Sequence, residues 1–282
     1  MDASYRLPRG KRIKLSDYDP GDTSSFKEKE EVQEQFEQLK EELNELQDKL
    51  FAQKKYSLLV VFQGMDCSGK DGAIKKVFSG VNPHGFRVSS FKKPSAEEAA
   101  HDFLWRTHRE APAQGYIAAF NRSYYEEVLI TRVHGQTDEE EAKRRFKQIK
   151  HFEKLMTDNH TKVLKIFLHI SKSFQISKLQ QRLRDPEKTW KFDPNDILER
   201  NYWDDYVQAY EDVFSHCSFK EAPWHIVPSN HRWFRDFVVL SLIVEALREL
   251  PLAYPKPDAK VTELIGLLPE DTRPEGAAPK GY

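Results

Sequence analysis

The chain has 282 residues, with 44 Lys plus Arg against 45 Asp plus Glu and a formal net charge of -1, a balance that gives no overall pull toward nucleic acid or an anionic membrane yet leaves local clusters free to bind phosphate. At 39% hydrophobic and 32% charged it has the composition of a globular protein with one large core, and its two cysteines, Cys67 and Cys217, neither staple a fold of this size nor stand at zinc or redox spacing. No stretch approaches the ~20 apolar residues of a membrane span and the first residues lack the apolar segment of a secretory leader, so the expected location is cytoplasmic, with no membrane partner.

Residues 1–26 are polar and read as an extended arm. From about Lys27 to Phe51, Val32, Phe36, Leu39, Leu43, Leu46 and Leu50 recur at spacings of four and three, which puts them on one helical face. Two uses of that face stay open, an outer helix laid on the core or a helical contact between subunits. The same segment holds nine acidic and four basic residues, so the near-zero total hides a segregated charge map. SLLVVFQ, Ser57 to Gln63, then breaks the helical period and reads as a central buried strand. Further strands are expected at 86–91, 116–120, 163–170 and 224–228, with helices at about Gly69 to Phe78, Ser95 to His108, Asp138 to Met156 and Trp233 to Leu250. Strands alternating with helices specify an α/β fold, a five-stranded parallel sheet flanked by helices with an N-terminal helical extension. The expected division is an arm and amphipathic helix at 1–56, a core at 57–250 that includes a lid at about 173–200, and a Pro-rich tail at 251–282.

The chemistry concentrates where the first strand runs into GMDCSGKDG, residues 64–72. The Gly-x-x-x-x-Gly-Lys spacing, directly after a buried strand and opening a helix, suits a loop whose backbone amides, helix dipole and Lys70 ammonium converge on phosphate oxygens. Gly64, Ser68, Gly69, Lys70 and Asp71 are the expected phosphate-binding positions. Asp71 replaces the hydroxyl that such a loop usually offers to magnesium, and it equally suits a helix-start carboxylate facing the dipole. Asp66 then becomes a candidate to hold the metal or to orient an attacking phosphate. Beyond the third strand lie Asn121, Arg122, Tyr125 and Glu126, and the carboxyl ends of parallel strands line the ligand crevice. Arg122 has the planar fork that grips two phosphoryl oxygens, while neutral Asn121 offers a metal only a carbonyl oxygen, directly or through water. Lys92, Lys93, Arg106, Lys178 and Arg182 belong to a wider set of basic residues suited to a polyanion track, and Asp185-Pro186 breaks the helix of a lid. Asn230 and Arg232 follow the fifth strand; they suit a nucleotide contact, and Asn230 suits a helix cap equally well. No zinc site is expected.

Taken in order, GMDCSGKDGAIKKVFSGVNPHG, FKKPS, FLWRTH, FNRSYYEEVLITRVHG, RLRDPEKTWKF, YWDDYVQAYEDV and APWHIVPSNHRWF resemble the polyphosphate kinase 2 family from about Ser16 to Leu250. The resemblance implies a P-loop kinase fold with a helical lid that moves the terminal phosphate of inorganic polyphosphate to a nucleotide. It implies Mg2+ as cofactor, with Mn2+ as a substitute, and a homo-oligomer, dimer or tetramer. It implies that Asp66 positions the acceptor phosphate and binds metal, with Asn121 at the second metal-side position. Lys70 and Arg122 stabilise the transferring group, and Lys93, Arg106, Lys178 and Arg182 grip phosphates. The FNRSxYE form, with Glu126, goes in the family with enzymes that accept AMP as well as ADP. The lid departs from the family pattern at Ser177, where a basic residue is more usual. An ATP-dependent nucleoside or nucleotide kinase and a non-catalytic polyphosphate-binding protein are the rival expectations, the first separated by donor preference and the second disfavoured by an acid inside the phosphate loop.

Overall fold

Seven consecutive residues, Ser57–Gln63, form strand β1, buried along its whole length. Alternate side chains serve opposite layers: Leu59 and Val61 pack on one face of the sheet, Leu58, Val60 and Phe62 on the other. A central strand covered on both sides needs this unbroken apolar run. The computed structural model describes residues 5–8, 11–192, 194–258 and Leu264. Around β1 it places β2 (Phe86–Ser90), β3 (Ile117–Asn121), β4 (Thr161–His169) and β5 (Trp224–Pro228). The order is β2-β3-β1-β4-β5 and every pairing is parallel. The chain fills one side of β1 with β3 and β2 and then crosses to the other with β4 and β5. The loop that leaves β1 therefore sits at the point where the winding reverses, the usual crevice of an open parallel sheet.

The flanking helices are α1 (Glu30–Gln53), α2 (Lys70–Val77), α3 (Ala96–Ala99), α4 (Trp105–Glu110), α5 (Ile130–Val133), α6 (Glu139–Asp158), α7 (Lys172–Arg184), α8 (Asn195–Glu199), α9 (Trp203–Cys217) and α10 (Arg232–Arg248). The single helix expected over 95–108 is two. Asp102 Oδ1 accepts the Leu104 amide at 3.0 Å, a local turn that competes with the helical ladder between α3 and α4. α10 is buried around most of its circumference, and α1 lies against it. Val32, Phe36, Leu43 and Leu50 share one apolar cluster with Phe237, Val244 and Leu247, and Leu39 and Leu46 pack at its margin. Of the two uses open to this face, the outer helix is the observed one. The subunit's own core covers the stripe, so the sequence-level support that the stripe gave to a subunit contact falls away.

The arm is less loose than its polarity suggests. Leu7, Ile13 and Leu15 are buried, a short helical turn spans Leu15–Asp17, and the Leu7 amide donates to the Trp224 carbonyl at 2.9 Å. Further on, the Asn230 amide donates to the Pro20 carbonyl and His169 bonds the Tyr18 carbonyl. The arm thus crosses the ends of β4 and β5, next to the start of α7. The tail expected at 251–282 lies, after residue 258 and apart from Leu264, outside the described residues.

Candidate active site

The loop Gly64 to Gly69 carries β1 into α2, and two of its residues are fixed as glycine by backbone geometry. Gly64 has φ +151°, and a Cβ there would stand 2.7 Å from the Leu168 carbonyl oxygen. Gly69 has φ +87°, and a Cβ there would stand 2.1 Å from Nη1 of Arg235. That guanidinium, buried on α10, donates to the Ser68 carbonyl at 3.3 Å and braces the loop from behind. Lys70 curls over the loop, its Nζ donating to the Gly64 carbonyl at 2.7 Å and the Met65 carbonyl at 3.3 Å. Burial pushes the Lys70 ammonium below the ordinary lysine value and Arg122 adds to that, against Asp66, Glu126 and Asp71.

In front of the loop opens a crevice of about 700 Å³, lined among others by Gly64, Asp66, Lys92, Lys93, Arg122 and Glu126. Arg122 follows β3 with φ +60°, its amide tied to the Phe62 carbonyl at 3.0 Å, and this turn aims its guanidinium at Asp66, 2.9 Å away. Burial opposes the charge on Arg122, but Glu126 and Asp66 outweigh it and hold the guanidinium protonated. Glu126 is shifted the other way. Burial raises its carboxyl above the ordinary range, opposed by Arg122, Lys70 and a hydrogen bond from Gln63. Gln63, at the end of β1, also donates to Ser123 Oγ at 3.1 Å and accepts the Tyr210 hydroxyl of α9 at 3.3 Å. The far wall is closed from the lid side, where Glu199 accepts the Tyr206 hydroxyl at 2.8 Å and pairs with His134 Nε2 at 2.9 Å.

The remaining expected residues divide between the crevice and other employment. Arg106 reaches the crevice lining, but its guanidinium is bound to the Lys92 carbonyl at 2.7 Å and to Glu127 at 3.3 Å. It holds the segment that carries Lys92 and Lys93. Asn121 does not face Asp66. Its amide donates to Asp71 Oδ1 at 2.7 Å, and the two line a separate cleft of about 290 Å³ toward the β2 edge. An acid in the first turn of α2 is favoured by the dipole, and that pairing employs both side chains. Ser68 is buried, its amide bonded to the Met65 carbonyl and its hydroxyl beside Gly64.

Tyr125, expected at the nucleotide, is fully buried, and its hydroxyl points into the core to donate to Glu153 Oε1 at 2.7 Å. The cause is the buried pair Lys165–Glu153, 2.6 Å apart, which needs neutral donors around it. Asn230 caps no helix. Its Oδ1 accepts the Ser171 amide at 3.1 Å and its Nδ2 donates to Ser171 Oγ at 3.3 Å, so it fixes the residue that starts the lid helix α7. Arg232 is exposed at the start of α10, and its charge, with that of Lys188, depresses the Lys178 ammonium after burial. Arg182 lies on α7 with Nη1 3.4 Å from Asp196. Arg182 and Lys178 lie near Cys67 of the loop, whose thiol is pushed up to about 11 by burial against the pull of Arg182.

Residues the sequence did not single out are Gln63, Gln175, Tyr206, Tyr210 and Arg235. Tyr206 and Tyr210 stand four apart in YWDDYVQAYEDV, a helical spacing that marks one face. Neutral Gln63 and Gln175 carry no charge signal, and Arg235 sits in a segment whose apolar pattern masks it. Among the described residues no group of three or more His, Cys, Asp or Glu side chains could hold a metal, and Asp66 is the carboxylate that the 64–69 loop brings to the crevice, with Glu126 beyond it.

A family model described as Polyphosphate kinase 2 matches residues 26–252. The chain is 42% identical over 262 residues to the AMP/ADP-polyphosphate phosphotransferase of Meiothermus ruber, covering 93% of this chain and 98% of that protein. It is 40% identical over 264 residues to the ADP-polyphosphate phosphotransferase of Rhodopseudomonas palustris, covering 89% and 91%. The crystal structure of Polyphosphate Kinase 2 from Arthrobacter aurescens superposes with a TM-score of 0.88 at 38% identity, covering 94% of this chain and 95% of that one.

Proposed function

The chain belongs to the polyphosphate kinase 2 family, and we propose on that premise that it moves the terminal phosphoryl group of inorganic polyphosphate to AMP and ADP, giving ADP and ATP, reversibly and with magnesium. The observation that carries the reading is the Asp66–Arg122 pair at 2.9 Å, set in a phosphate loop and opening into a crevice with Lys92 and Lys93. Donor and acceptor are both polyanions, so their approach is opposed by strong repulsion unless fixed cations surround the reacting phosphorus.

An acceptor phosphate oxygen attacks the terminal phosphorus, the bridging P–O bond breaks, and the chain shorter by one phosphate departs with the bonding pair. Lys70 and Arg122 offset the charge that spreads over the transferring oxygens, and the loop amides with the α2 N-terminus hold them in line. Asp66 orients the acceptor phosphate and, with phosphate oxygens and water, would hold magnesium. One or two carboxylates fit that ion, which keeps several waters and relies on substrate oxygens. When bound, the ion supplies further positive charge to the phosphoryl oxygens. Asn121, paired with Asp71, takes no part in this reading. Lys178 on the lid helix and Arg232 at the start of α10 suit the longer polyphosphate chain, and Glu126 with Gln63 serves acceptor choice.

We divide the chain as an arm and helix at 1–56, a core at 57–250 with the lid at about 173–200, and a tail at 251–282. Assembly into a homo-oligomer belongs to the same reading and must use a surface other than the covered stripe of α1; light scattering measures it. The deciding assay supplies polyphosphate, AMP or ADP and magnesium, and follows nucleotide products by chromatography. Turnover that disappears on chelation is expected, and turnover with ATP but not with polyphosphate as donor would overturn the reading.

A further inference from the structure

Gln175 lies on the lid helix, and only 5% of its surface is exposed. Its Nε2 donates to the backbone carbonyl of Asp66 at 3.2 Å, which fixes which end of the amide points where, since a carbonyl only accepts. Gln175 belongs to the lining of the crevice, and the other end of its amide, Oε1, is buried with no hydrogen-bond partner among the described residues. A buried acceptor in that position costs stability unless it is used when the site is filled. Phosphate oxygens near neutrality offer it no proton. The donors that a phosphate site does bring are the waters around a divalent cation and the hydroxyl or amino groups of a nucleotide. Gln175 is anchored to the backbone of the one carboxylate residue of the loop, which favours the first.

Resting on the reading that Asp66 holds the cation, we infer that Gln175 is a positioning residue for that ion: its Nε2 fixes the loop at Asp66 and its Oε1 accepts a hydrogen bond from a water in the ion's coordination shell. Lid and loop then meet at the metal, and a lid displaced from the loop removes one of the ion's outer partners.

The test is Mn2+ binding to the ADP-saturated protein, followed by electron paramagnetic resonance, for wild type, Gln175→Leu, Gln175→Glu and Asp66→Asn. Losing one such hydrogen bond weakens the ion by about five- to tenfold in Gln175→Leu. Gln175→Glu keeps an acceptor and loses the donor to Asp66, so it retains or tightens the ion. Equal weakening in the Leu and Glu variants would reduce Gln175 to a brace for the loop and overturn the inference. Unchanged Mn2+ affinity in Gln175→Leu with weaker ADP binding in the absence of metal would overturn it too, assigning Oε1 to the nucleotide. If Asp66→Asn binds Mn2+ as wild type does, it is the assignment of the metal to Asp66 that fails; if only the Asn variant is weakened, the role of Gln175 fails alone.

Discussion

Replacing Tyr125 by Phe separates a core role from a nucleotide role at one atom. The Tyr125 hydroxyl donates to Glu153 Oε1 at 2.7 Å, a bond shared with Tyr124, and receives Lys165 Nζ at 3.1 Å. Burial first, and Glu153 second, push both tyrosine hydroxyls well above their ordinary value, so they stay protonated donors. Phe keeps the ring contact with Trp224, 4.9 Å between centroids, and removes only the oxygen. A hydrogen bond to a charged group contributes ~1.5–3 kcal/mol. At roughly 2–4 °C per kcal/mol for a domain of this size, the midpoint should fall by about 3–12 °C. Lys165→Met, which leaves Glu153 buried and unpaired, sets the upper mark at ~3–5 kcal/mol. Urea unfolding followed by tryptophan fluorescence measures the loss, and initial rates with AMP and with ADP give the KM values, expected unchanged. An unaltered unfolding free energy together with a KM raised tenfold for either nucleotide would refute the placement of Tyr125 in the core network.

Lys70→Ala and Asp66→Asn should each lower phosphoryl transfer by about 100- to 1000-fold while circular dichroism stays native, the scale of losing one preorganised charge contact; near wild-type rates in either would refute their roles. Glu126→Gln should lower kcat/KM with AMP by about 10- to 100-fold and spare ADP, and equal losses with both acceptors would contradict a part in acceptor choice. Burial holds His169 below the ordinary histidine value, against a hydrogen bond to the Tyr18 carbonyl. The unfolded chain therefore takes up the proton first, and stability present above pH ~6.5 is lost as the pH falls through the depressed value. His169→Gln, which can still donate to that carbonyl, should flatten the decline in Tm between pH 7.5 and 5.5; an unchanged slope would show that another group sets it.

The periodic elements were legible because their physics is local. SLLVVFQ alternates between two covered faces and cannot be an amphipathic helix, and WHIVP at 224–228 matches β5 residue for residue. The turn from β1 through Gly64 and Gly69 into α2 was legible for the same reason, since strand, glycines and lysine are contiguous. Asn121, Tyr125 and Asn230, whose partners the sequence did not indicate, share a different property. Each is polar and adjoins a strand end, and its orientation depends on a partner distant in the chain: Asp71, Glu153 and Ser171. Tyr125 and Glu126 are neighbours with opposite fates, one turned into the core and the other into the crevice, because a short helical turn at Tyr124–Val128 rotates successive side chains apart.

By itself the sequence determined the strand count, the glycine-lysine loop between β1 and α2 and, through seven ordered segments, the family. All of these rest on neighbours along the chain, where spacing alone sets geometry. Tertiary structure decided which acid answers Arg122, that the α1 stripe is spent on the subunit's own core, and that the polar-looking arm is pinned across the ends of β4 and β5. Those outcomes depend on burial, since a polar group removed from water must find a partner wherever the fold provides one.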